Sequence, residues 1–202
     1  MSYVLRYAGQ LEESARHCDA AFVLDAWNQT SGIRSCAITF ILLGDYPRAL
    51  NYLQFDRGSD WVKAFTIEGL VREGRTQEAL KLGTPAPEHW VGVNMLLACA
   101  AQKPLSEIRA LAAKIRPAED PESNYLFAAQ LAYCGETAAA LDMLLQAVKG
   151  NYCSYPAIDT DPLLNRLRAE PEFRDLRSAG VDCQRNFTAR RVGRPEPNVR
   201  SQ

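Results

Sequence analysis

His17 and Cys18 are the first residues whose types could bind a metal, and they are neighbours in sequence. On a helix, adjacent side chains point about 100° apart, so the pair cannot close on one ion, and the other histidine, His89, is remote. Zinc wants four donors, commonly delivered as close pairs, and no such pairing occurs. Asp159-Thr160-Asp161 sets out alternate carboxylates. No third acid follows at calcium-loop spacing, and a helix cap at Asp161 accounts for the pattern. The glycines are isolated, without the Gly-x-Gly-x-x-Gly or phosphate-loop spacing that cradles a nucleotide. Serines without a nucleophile elbow, and cysteines without a nearby base, leave no activated nucleophile. The chain is therefore expected to be no enzyme, with no metal and no cofactor.

Composition narrows the partners. Hydrophobic residues make up 47% of the 202 and charged residues 23%, which is globular rather than disordered. With 23 basic and 24 acidic side chains and a formal charge of −1, there is no broad electrostatic case for nucleic acid or an anionic membrane. Residues Thr188 to Gln202 read as a disordered basic tail, with arginines at 190, 191, 194 and 200 and one acid, Glu196. It is short and lacks aromatics, so nucleic acid is not expected as its ligand. Six cysteines, at 18, 36, 99, 134, 153 and 183, form no close pair and lie in apolar stretches, which reads as buried thiols in a reducing compartment, the cytoplasm. No apolar stretch approaches the roughly 20 residues of a membrane helix, and the first residues lack a signal-peptide pattern.

What must position any site is a repeated punctuation. Gly44, Gly74 and Gly135 are each followed by alanine five positions on and then leucine, as in Gly44-Asp45-Tyr46-Pro47-Arg48-Ala49-Leu50, and Gly9 opens a related segment. A weaker turn near Lys103 halves the long gap between Gly74 and Gly135. Apolar residues three and four apart precede each turn, as at Ala37, Phe40 and Ile41, and follow it, as at Ala140, Leu141 and Leu144. Five turns at a period near thirty predict an all-α solenoid of about five helical hairpins, with turns near 9, 44, 74, 103 and 135.

Gly at the turn, Ala five later and Ala twelve later, as at Gly135, Ala140 and Ala147, resemble the tetratricopeptide repeat, a helix-turn-helix that stacks into a right-handed superhelix with a concave binding face. The match is partial: no unit carries the aromatic-x-x-Leu-Gly pattern of that family. The resemblance covers roughly residues 1 to 150. Tyr155 to Phe173 is similar to the segment following such arrays in bacterial proteins that carry a serine/threonine kinase or another signalling domain. Physically, Asp161 caps a helix begun by Pro162, and Leu163, Leu164, Leu167, Phe173 and Leu176 close the end of the core, giving a capping region over 155–187 within a domain of 1–187.

The resemblance implies a groove lined by the first helix of each hairpin. Counting back from the turns places Arg34 and Ile38, Trp61, Glu68 and Arg72, Trp90, Val93 and Leu97, and Tyr125 and Tyr133 there. Arg72 is expected to be exposed and to hold an acidic peptide. Trp61 and Trp90 stand either in the groove or packed against the preceding hairpin. The resulting expectation is a protein-binding module taking a peptide or helix of a partner, within a larger signalling protein. The alternative is a self-associating scaffold, dimerising weakly through an N-terminal hairpin that Met1 to Ala8 would cover incompletely.

Overall fold

The structure, a computed structural model, describes residues 1–24, 30–55, 59–83 and 90–192, with the side chains of Thr30, Ser31, Ile33, Arg34 and Val192 excepted. It is all-helical: of the described residues 79% are in helices and none is in a strand. Ten α-helices run as pairs: α1 (Ser2–Tyr7) with α2 (Leu11–Leu24), α3 (Thr30–Leu43) with α4 (Tyr46–Leu53), α5 (Asp60–Arg72) with α6 (Thr76–Leu82), α7 (Val91–Ala100) with α8 (Leu105–Ala112), and α9 (Pro121–Tyr133) with α10 (Thr137–Lys149). A short α11 (Ala157–Thr160), a 3-10 helix (Pro162–Ala169) and a long α12 (Pro171–Val192) follow.

The five turns share one hydrogen-bond pattern. Gly44 N–H donates to Ile41 and Asp45 N–H to Phe40, and the same pair of bonds recurs at Gly9, Gly74 and Gly135. All four glycines lie at φ between +74° and +83°, the left-handed turn that terminates a helix at no side-chain cost. In the fourth pair the left-handed residue is Gln102, at φ 53°, where the sequence reading placed Lys103. Helix α8 starts three residues after Gln102, whereas the other second helices start two after their glycine. Lys103 is the extra residue of this turn, which is why Ile108 still falls five positions after it and is buried. Ala49, Ala79 and Ala140 are fully buried in their pairs, letting the second helix approach the first.

First helices of successive pairs pack side by side: α1 on α3, α3 on α5, α5 on α7 and α7 on α9. The two ends of the array then meet. The Arg6 guanidinium on α1 donates to both oxygens of Glu122 at the start of α9, at 2.5 and 2.8 Å, and the Tyr7 hydroxyl bonds Asp120. Cys153 N–H donates to Tyr7 O, Gln184 Nε2 to Gly9 O at 2.7 Å, and Arg191 on α12 forks onto Glu13 of α2. Gly9 is required here twice over, because a Cβ would also stand 1.9 Å from Tyr155 O.

Three expectations are corrected by this closure. Leu11 and Ala15, expected to be poorly covered, are 4% exposed and lie in the core, whereas Phe22 is half-buried and Val23 and Leu24 at the end of α2 stay exposed. Helix α12 continues through Thr188 to Val192, and Thr188 accepts a bond from Gln10; the tail read from 188 begins no earlier than 193, outside the described residues. The cysteines are not thiols: Cys18–Cys36 joins α2 to α3, Cys99–Cys134 joins α7 to the end of α9, and Cys153–Cys183 ties the segment after α10 to α12. Their partners lie 18, 35 and 30 residues apart, spacings that only the folded hairpins bring within bonding range. The cap itself forms as expected: Asp161 accepts from Leu163 N–H, and Leu163, Leu164, Leu167, Phe173 and Leu176 are buried.

Candidate functional site

A cavity of about 340 Å³ opens between α3, α5, α7 and α9 on the first-helix layer. Of the residues expected in the groove, Ile38, Trp61, Glu68, Trp90 and Val93 line it, and Ala64, Phe65, Gly92, Asp120, Glu122, Leu126, Phe127 and Gln130 complete the wall together with Ser123. Trp61 stacks on Phe65 with ring centroids 4.0 Å apart, and Phe65 meets Trp90 edge-on at 6.3 Å. Both tryptophans are half-buried, so each packs on the core with part of its ring and presents the rest to the cavity. Trp61 is placed by the Ser59 side chain, which accepts from Val62 N–H and caps α5. Trp90 is the cap residue of α7, and Asp120 caps α9 by accepting from Glu122 N–H.

The remaining groove residues lie elsewhere. Arg72 is buried, its side chain 1% exposed. It is held between Glu68 and Asp161, with Asp161 at 3.1 to 3.2 Å. Burial opposes its charge, but Asp161 and Glu68 outweigh that and push its pKa above the ordinary arginine value. Its expected role as an exposed ligand for acidic peptides is therefore overturned. Tyr125 is wholly buried beneath Tyr152 and donates to Asp161 at 3.3 Å. Its pKa lies well above the usual phenol value, first through burial and then through Asp161. Tyr133 borders a separate depression with Pro162 and Leu163, and Leu97 packs toward Gly83. Arg34 has its side chain outside the described residues. The common reason is that the chain's own segment 152–169 lies against Arg72, Tyr125 and Tyr133, and leaves the cavity around the tryptophans open.

Two buried arginines brace the polar side of this cavity. Arg72 serves Glu68, and Arg6 serves Glu122 while also donating to Ser35 O at 2.6 Å and Ser35 Oγ at 2.9 Å. Arg6 and Gln130 were not singled out from the sequence. Arg6 stands three residues before Gly9, where the other glycine-turned hairpins have Ile41, Val71 and Ala132, all buried. An arginine in that register signals a paired buried charge. Gln130 had no comparable signal. It is 3% exposed, its Nε2 donates to Glu68, and its Oε1 is buried with no hydrogen-bond partner. Gly92 makes room for that oxygen: a Cβ there would stand 1.8 Å from it.

No protein-family model, curated protein or solved structure matches the chain. Among the described residues, no group of three His, Cys, Asp or Glu could hold a metal ion, and no helix is long and apolar enough to cross a membrane.

Proposed function

We propose that the chain is a non-catalytic binding module of tetratricopeptide-like stacked hairpins, whose cavity between α3, α5, α7 and α9 receives side chains of a partner's peptide. The observation that carries this reading is the convergence of Trp61, Phe65, Trp90 and Phe127, from α5, α9 and the start of α7, on one open cavity that Glu68, Glu122 and Gln130 also line. Half-buried aromatics give contact area at little entropic cost, and such anchors dominate recognition energy. At about 340 Å³ the space suits one or two side chains of an extended segment. A helix would need a longer open groove, and segment 152–169 covers the face beyond. The burial of Leu11 and Ala15 weakens the scaffold alternative, which keeps only the half-buried Phe22 of the three residues that motivated it.

Three disulfides also favour work in an oxidising compartment over the cytoplasm, because cytosolic reductants keep structural thiols reduced.

Selection of displayed random peptides against the chain tests the reading. Peptides retained by the native protein and lost by Trp90→Ala, with the variant still cooperatively folded, support it. Peptides retained equally by both, or no enriched peptide, would contradict it.

A further inference from the structure

We propose that the cavity selects an ammonium-bearing side chain, a lysine of the partner peptide, seated against the aromatic wall with its N–H groups directed at Gln130 Oε1. This rests on the peptide-binding reading above and names what that site prefers. Three observations converge. First, among the described residues the wall carries three acids, Glu68, Asp120 and Glu122, and no lysine or arginine. The buried arginines behind it number two, Arg6 and Arg72, and Arg72 also answers Asp161, so the set of six charges keeps a negative excess that a cation offsets. Second, Gln130 Oε1 is a buried acceptor without a donor. Such an atom is costly when empty and rewarding when met, and Gly92 is the residue that lets it lie there. Third, Trp61, Phe65, Trp90 and Phe127 supply ring faces and edges around the space, which suit both the methylenes of a lysine and its charge.

Arginine is a poorer fit for a specific reason. A guanidinium fork prefers a carboxylate free on both oxygens. Glu122 is already forked by Arg6, and the two oxygens of Glu68 accept from Gln130 and Arg72. Asp120 already accepts from Tyr7 O–H, Ser123 O–H and Glu122 N–H. The acceptor of the wall left without a donor is Gln130 Oε1, suited to a compact point donor.

The test is titration of the disulfide-intact 202-residue chain, followed by backbone and indole amide resonances in NMR. The probes are four: Ac-Ala-Lys-Ala-NH2, the same peptide with norleucine, the same with arginine, and n-butylammonium. The expected result is saturable shifts at residues 61–68, 90–93 and 122–130 with the lysine peptide, and about tenfold weaker binding of norleucine, the size of one charged hydrogen bond in a semi-buried site. Arginine should fall between them. Gln130→Met should bring lysine down to the norleucine level while circular dichroism stays native. Should that variant unfold, the lysine and norleucine comparison on the native chain still decides. Norleucine binding as tightly as lysine overturns the lysine assignment and leaves peptide binding standing. n-Butylammonium binding as tightly as the lysine peptide assigns the cavity to a free amine and overturns the peptide source. No shift at these residues with any probe overturns the lysine proposal, while peptide selection independently judges the binding module.

Discussion

Replacing Arg72 by methionine removes a charge that two buried carboxylates share. Methionine keeps most of the side-chain volume, so the lesion is electrostatic rather than a cavity. Glu68 retains only its bond from Gln130, while Asp161 retains Tyr125 O–H and Leu163 N–H. Breaking a buried pair by removing one partner costs about 3 to 5 kcal/mol. With a urea slope of about 2 kcal/mol/M for a chain of this size, the unfolding midpoint should drop by about 2 M. Neutralising the stranded acids should return part of the loss: Arg72→Met combined with Glu68→Gln and Asp161→Asn should be more stable than Arg72→Met alone, because no unpaired charge stays buried. The assay is urea unfolding followed by circular dichroism with the disulfides intact. A loss below about 1 kcal/mol for Arg72→Met, the size of a surface pair, would refute the buried triad and return Arg72 to an exposed, ligand-facing role.

The other expectations are simpler to read. Denatured chain without reductant should show no reactive thiol in a colorimetric assay and six after reduction, and reduction should cost about 2 to 4 kcal/mol per bridge; six free thiols at the outset would contradict the disulfide framework. Alkaline stability should fall as pH rises above about 10, because Tyr125 and Tyr152 have pKa values raised mainly by burial, so the unfolded chain releases protons that the folded one retains. Tyrosinate absorbance for these two should therefore appear together with unfolding, and an independent titration near pH 10 in the folded chain would contradict their burial. Trp61→Ala and Trp90→Ala should each cost about 1 to 3 kcal/mol in folding, less than a fully buried tryptophan, with calorimetry showing a larger loss of peptide binding for Trp90.

The hairpins were legible because their signals are local. A left-handed glycine, an alanine five later and apolar residues on one face each act within a few turns of helix, and the structure reproduces them at Gly44, Gly74 and Gly135. The aromatic wall was half legible: register from the turns brings Ile38, Trp61, Glu68, Trp90 and Val93 to one cavity, but the same count puts Arg72, Tyr125 and Tyr133 on a face that residues 152–169 cover. That covering is a long-range event, fixed by Asp161 meeting Arg72 across 89 residues, and no periodicity announces it. The disulfides were hidden for the same reason, since each partner belongs to a different element. Gln130 reads as an ordinary polar residue on an alanine-rich helix until Gly92 is seen beside it.

A crystal structure of the disulfide-intact chain grown with a peptide recovered by selection tests the central claim most directly. The account predicts a peptide side chain between Trp61, Phe65, Trp90 and Phe127, with a donor within about 3 Å of Gln130 Oε1. A peptide seated on the second helices α2, α4, α6 or α8, with the cavity holding only water, would contradict it.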